Sequence, residues 1–185
     1  MDIRVIPTRL DPVAIVETDA VRDERGFFLE TWHRRRFAEH GIQYDFVQDN
    51  HSRSTRDVLR GIHYQDLTAP MAKLVRCTRG RILDVVVDLR VGSPTFAQWV
   101  SVELSGENVK QVVVPIGFGH AFLTLTDEAD FLYKCTGYYT PSAEHVIAWN
   151  DPDIGIDWPI GVPILSPRDR AGMSLRDYLE RPAFR

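Results

Sequence analysis

Along most of the chain, apolar and polar residues alternate in short runs, and few segments carry a helical period. Ile82–Leu89 is rich in β-branched residues and ends at the turn signal Gly92-Ser93-Pro94. Val100, Val102 and Leu104 alternate with Ser101 and Glu103, the pattern of a half-buried strand. Gln111–Val114, Ala121–Leu125 and Asp130–Thr136 are further predicted strands, the last entered through Thr126–Ala129, which reads as a hairpin connection. Two helices are predicted. Trp32–His40 carries Phe37 on one side and Arg34, Arg35 and Arg36 on a solvated face, with Gly41 as its stop. Ser174–Glu180 starts on a capping serine and is closed by Pro182. Many short strands with closely spaced turn signals predict a sandwich or barrel, and periodicity alone leaves the jelly roll and other sandwiches equally open.

Composition narrows the class. At 185 residues with no repeat, low-complexity block or linker, the chain reads as one domain spanning 1–185. Hydrophobic residues make up 44%, enough for a sizeable core. A net charge of −4 argues against a nucleic-acid partner, so any anion site must be a local gathering of arginines. The first residues hold charges at Asp2, Arg4 and Arg9 and no apolar core of a leader. Apolar runs such as Val85–Val87 are far too short for a membrane span. The expected location is the cytoplasm, with no membrane partner. Cys77 and Cys135 lie 58 positions apart inside apparent strands, compatible with a disulfide but expected as two buried thiols.

Two segments concentrate the chemistry: Leu59–Gly80 and Pro115–Phe122. Pro115-x-Gly117-x-x-His120 follows the second cupin motif, which points to a small jelly-roll barrel. The first motif of metal-binding cupins has His-x-His, whereas this chain reads His63-Tyr64-Gln65, too few ligands to hold a metal. The expected fold is therefore all-β, a cupin-type double-stranded β-helix with a few short helices and no metal. His63 suits a general base, because an unperturbed imidazole titrates at about 6.5. Alternation alone turns Lys73 outward; pointing inward, it would require a negative partner, such as an enolate oxygen. The tyrosines of Tyr133–Tyr139 read by spacing alone as strand-favouring core aromatics, the other reading being a proton donor and a stacking platform. Arg25 and Arg60 are the better phosphate candidates, since Gly or apolar residues flank them. His33, His40, His51 and His145 read as structural or surface histidines.

Taken in order, these segments resemble the dTDP-4-dehydrorhamnose 3,5-epimerase family. The matching stretches include Asp23-Glu24-Arg25-Gly26-x-Phe28-x-Glu30, Gln48-Asp49-Asn50-His51-Ser52, Leu59-Arg60-Gly61-Ile62-His63-Tyr64-Gln65 and Ala72-Lys73-Leu74-Val75-Arg76. Further on come Asp88-Leu89-Arg90-x-Gly92-Ser93-Pro94, Pro115-x-Gly117-Phe118-x-His120, Tyr133-Lys134-Cys135-Thr136, Trp149-Asn150-Asp151-Pro152 and Leu165-Ser166-x-x-Asp169. Small departures include Ile62 for the commoner Leu and Arg168 where Lys is common.

The resemblance implies a homodimeric jelly roll, active without cofactor, that inverts C3 and C5 of a dTDP-4-keto-6-deoxyhexose. It makes His63 the base, Asp169 its carboxylate partner, Lys73 the cation near the C4 oxygen and Tyr133 the acid on the opposite face. Tyr139 resembles the residue that stacks on thymine. Arg25, Phe28, Glu30, Gln48, Asp49 and Asn50, then Arg60, His120, Glu144 and Arg168, fall at substrate-contacting positions. Three rivals remain: an epimerase of C3 or C5 alone, a sugar-nucleotide 3,4-ketoisomerase on the same barrel, and a sugar-binding cupin without catalysis.

Overall fold

A computed structural model describes residues 2–185 as thirteen strands and three short helices. The strands are β1 (Ile3–Pro7), β2 (Ala14–Thr18), β3 (Val21–Asp23), β4 (Gly26–Phe28), β5 (Gln48–Thr55), β6 (Leu59–Gln65) and β7 (Lys73–Arg79). They continue as β8 (Arg81–Asp88), β9 (Trp99–Ser105), β10 (Gln111–Val114), β11 (Phe118–Thr124), β12 (Glu128–Cys135) and β13 (Glu144–Val146). The helices are α1 (Arg34–Glu39), α2 (Pro167–Arg170) and α3 (Leu175–Glu180).

Two antiparallel sheets face each other, ordered β1-β2-β10-β7-β12-β5 and β13-β6-β11-β8-β9, while β3 and β4 form a separate hairpin. From β5 onward the chain crosses repeatedly between the sheets, which is the winding of a jelly roll and of the cupin-type double-stranded β-helix. The expected fold class stands. Thr126–Ala129 needs correction. β11 pairs with β6 and β8, whereas β12 pairs with β5 and β7, so this connection carries the chain from one sheet to the other and closes no hairpin. Local turn chemistry is the same for both outcomes, and only the pairing partners separate them.

Between the sheets lies a core containing Val75, Cys77, Ile82, Val86, Leu104, Phe118, Phe122 and Phe131. The C-terminal stretch, with Ile154, Leu175, Tyr178 and Phe184, covers the back of the five-stranded sheet against Ile62, Val85 and Val87. This second layer explains why the Val85–Val87 run lacks alternation: both faces of β8 are buried. Phe37 and Ile42, with Trp32, Tyr44 and Phe46, cover part of the back of the six-stranded sheet at Leu74 and Val113.

The predicted helices form, with local reasons. His33 Nδ1 accepts the Arg36 N–H at the start of α1, and Gly41 follows its end at φ +85°, a conformation that favours glycine. Ser174 caps α3 in a reciprocal box with Asp177. Cys77 and Cys135 are buried free thiols. Among the described residues no helix is long and apolar enough to cross a membrane.

Candidate active site

The inward-facing rows of several strands change character along their length. On β7, Val75 and Cys77 face the apolar core, and Lys73, two positions earlier, shares their side of the strand. On β12 the same row carries Phe131 in the core and then Tyr133. Where the rows turn polar, the sheets part around a cavity of about 350 Å³. Lys73 thus points inward, against the outward orientation that alternation alone favours. Val75 and Cys77, on the same side of β7 as Lys73, are the inward positions, whereas the opposite side carries Leu74 into the outer cluster.

His63 stands on β6 of the five-stranded sheet and Tyr133 on β12 of the six-stranded sheet, so they line the cavity from opposing walls. Behind His63, Nε2 lies 2.5 Å from Asp169 Oδ1, with the carboxylate nearly sealed from solvent. That contact holds the proton on Nε2 and leaves Nδ1 as the basic nitrogen. Burial alone would raise the Asp169 pKa, but hydrogen bonds from His63 and Ser166, the His63 charge and the Gly61 N–H together hold it below the ordinary carboxylate value. Gly61 is needed beside this pair: at φ +126°, a Cβ there would lie 2.5 Å from the Ala121 Cβ.

Lys73 is half-buried in the cavity wall, and desolvation lowers its pKa. Its Nζ sits 5.8 Å from the centre of the Tyr133 ring, and no carboxylate among the described residues forms an ion pair with it. Desolvation disfavours the charged form, so a negative charge developing nearby is what would stabilise the ammonium. Desolvation also raises the Tyr133 pKa, keeping the phenol a proton carrier at neutral pH. His120, deeper in the wall, bonds Asp84 Oδ2 through Nε2 at 2.7 Å.

The cavity mouth is a connected polar network. Gln48 accepts the Tyr139 N–H at 3.0 Å and donates to Asn50 at 3.1 Å. The Tyr139 hydroxyl donates to Glu144 at 2.8 Å, and Arg168 bonds both partners. Arg60 is steadied by Ser54 Oγ at 3.1 Å. The lining holds Arg60, Lys73 and Arg168 against the carboxylate of Glu144, a local positive field in a chain of net charge −4.

Of the residues expected from sequence, His63, Lys73, Tyr133, Gln48, Asn50, Arg60, His120, Tyr139, Glu144 and Arg168 line this one cavity, with Asp169 directly behind it. Four lie elsewhere within the chain. Asp49 turns to the opposite face of β5 and pairs with Lys134 at 2.8 Å. Glu30 pairs with Arg36 at 2.7 Å. Arg25 and Phe28 sit on the exposed β3–β4 hairpin. Ser52, Gln65 and Met71 also line the cavity, and Asp84 supports it, none of them given a site role from the sequence. Ser52 was legible as the inward neighbour of Asn50 at period two; Asp84 was visible as an acid inside an apolar strand. His33, His40, His51 and His145 all make hydrogen bonds or ion pairs outside this site. Among the described residues no cluster has the composition of a metal site.

Residues 7–177 match the family model described as dTDP-4-dehydrorhamnose 3,5-epimerase. A Salmonella typhimurium dTDP-4-dehydrorhamnose 3,5-epimerase is 51% identical over 95% of this chain and 97% of its own length. A Streptomyces niveus dTDP-4-dehydrorhamnose 3-epimerase is 42% identical over 94% of this chain and 84% of its own. The crystal structure of a Legionella pneumophila dTDP-6-deoxy-D-glucose-3,5-epimerase in complex with dTDP-4-keto-L-rhamnose superposes with a TM-score of 0.91. It is 48% identical and covers 95% of this chain and 94% of that one.

Proposed function

The chain belongs to the dTDP-4-dehydrorhamnose 3,5-epimerase family, and from that premise we propose how its cavity inverts C3 and C5 of dTDP-4-dehydro-6-deoxy-D-glucose. The protein is an epimerase of dTDP-sugars. The observation that carries the mechanism is the opposition of His63 and Tyr133 across one cavity, with an unpaired, desolvated Lys73 beside them.

The 4-keto group acidifies the C–H bonds at C3 and C5, because either carbanion delocalises onto O4. His63 Nδ1 takes the proton from one face of the ring, and Asp169 balances the imidazolium that forms. Lys73 meets the enolate oxygen. Its attraction grows as negative charge builds on O4, so it stabilises the transition state more than the ketone. General base catalysis supplies roughly 10²–10⁴-fold, so enolate stabilisation and fixed geometry must provide much of the rest. Tyr133 then returns a proton to the opposite face, and the configuration inverts. At the mouth, the guanidiniums of Arg60 and Arg168 suit the diphosphate, and the Tyr139 ring suits thymine.

Arg25 and Phe28 are assigned to the nucleotide by family resemblance, yet they sit on β3–β4 outside the lining of their own cavity, with Phe28 67% exposed. In a homodimer a second copy's hairpin supplies them. Two free buried thiols agree with a cytoplasmic setting, and the net charge of −4 agrees with the absence of a nucleic-acid partner.

Incubation with dTDP-4-keto-6-deoxyglucose in D₂O, followed by NMR, tests the reading. Deuterium is expected at both C3 and C5, and absence of label from both would overturn it. Similarity to the Streptomyces niveus 3-epimerase favours a second reading, inversion at C3 alone, which would leave C5 unlabelled.

A further inference from the structure

Asp169 does not meet His63 unaided. It lies in α2, a helix of four residues that cannot fix a side chain by its own rigidity. Its carboxylate is held at both oxygens. Oδ1 faces His63 Nε2 at 2.5 Å, with the Gly61 N–H at 3.4 Å. Oδ2 accepts the Ser166 hydroxyl at 2.6 Å. The same Ser166 oxygen accepts the Asp169 backbone N–H at 3.1 Å. One hydroxyl therefore caps the helix and fixes the carboxylate borne three residues later, by donating with its hydrogen and accepting with its lone pair.

We propose that Ser166 is a positioning residue for the epimerase reaction, locking the Asp169 carboxylate in the rotamer that presents Oδ1 to His63. This rests on the His63 reading above. Ser166 lies outside the cavity lining, so it acts through Asp169 and touches no substrate. Without its hydroxyl, the Oδ2 side of the carboxylate has no donor among the described residues, and the group is free to turn about its Cβ–Cγ bond. The imidazole then loses both its fixed tautomer and its counter-charge in a share of the molecules.

The test uses Ser166→Gly, because glycine keeps most of the capping preference and the helix start survives. Solvent-deuterium exchange into the dTDP-4-keto sugar is expected to fall about tenfold in kcat, a small share of what a general base supplies. KM should stay within about twofold, because no substrate contact is removed. Ser166→Thr, which restores the hydroxyl, should recover most of the rate. In an Asp169→Asn background, Ser166→Gly should cost almost nothing further, as residues acting through one group are not additive. Wild-type rates in Ser166→Gly, or a full tenfold loss on top of Asp169→Asn, would overturn the proposal. A wild-type enzyme that exchanges no deuterium would sink the His63 reading instead, so the two failures are distinguishable.

Discussion

Two histidine–carboxylate pairs stand side by side on the five-stranded sheet, where His63 on β6 lies opposite His120 on β11, and they are built differently. The Asp169 carboxylate comes from outside the sheet and is satisfied at both oxygens, while the His63 side chain keeps 19% of its surface open. Asp84 comes from within the sheet, on β8. Its side chain is fully buried, its Oδ1 has no hydrogen-bond partner among the described residues, and His120 keeps only 6% exposure. A proton acceptor must reach its substrate and must have its new charge balanced by a fully supported anion. The first pair meets both conditions. The second is a wall element, in which each group mainly compensates the burial of the other.

The contrast can be broken most directly at His63. His63→Ala is expected to lower deuterium exchange about 10³-fold or more while leaving the melting temperature nearly unchanged, since Asp169 retains Ser166 and the Gly61 N–H. Exchange at the wild-type rate would remove His63 as the base. Tyr133→Phe separates the two halves of the reaction. Exchange persists, but inverted product falls on the order of 10²-fold, as loss of one acid catalyst requires; unchanged stereochemical output would exclude Tyr133 as the donor. His120→Ala should reverse the balance seen at His63. Asp84 would lose its hydrogen bond from His120, costing about 3 kcal/mol of stability in denaturant unfolding, with exchange reduced only about tenfold. Loss of all exchange at unchanged stability would show that the second pair is catalytic as well.

A third carboxylate calibrates both. Asp88 is fully buried; burial would raise its pKa, but Arg90, Thr95 and Ser93 donate to it and bring it down to about 2. Because the folded value lies below the unfolded one, its stabilisation is present above about pH 4 and disappears as pH falls toward 2, on the order of 2 kcal/mol. Urea unfolding across that window should lose this slope in Asp88→Asn. An unchanged slope would mean that other groups govern acid unfolding.

Much of the strand content was legible because the inward rows of β7, β9 and β10 obey period two or are continuously buried. Resemblance to a family, carried by short motifs, supplied the pairing of His63 with Asp169, which lie 106 positions apart. No local pattern could have chosen Asp169 among the chain's acids, because the contact depends on the C-terminal layer folding back over β6. Alternation alone turned Lys73 the wrong way for a related reason, and only the family resemblance placed it inward. Both sequence neighbours of Lys73, Ala72 and Leu74, are apolar, and which face meets the opposing sheet is decided only when the sheets assemble. The β11–β12 connection failed in the same way, its turn being local and its partners distant. The hairpin bearing Arg25 and Phe28 lies at the limit of single-chain reasoning, since its proposed contacts belong to another molecule.

That hairpin carries Phe27 and Phe28, each more than half exposed, on a two-stranded ribbon apart from both main sheets. If it serves the neighbour, two crippled proteins can rescue each other. Mixing subunits that carry Arg25→Ala with subunits that carry His63→Ala would assemble hybrids in which one pocket has an intact imidazole and receives an intact arm. The other pocket receives both defects. Turnover should then appear in the mixture well above that of either parent, and specific activity of the native enzyme should sag on dilution as pairs come apart.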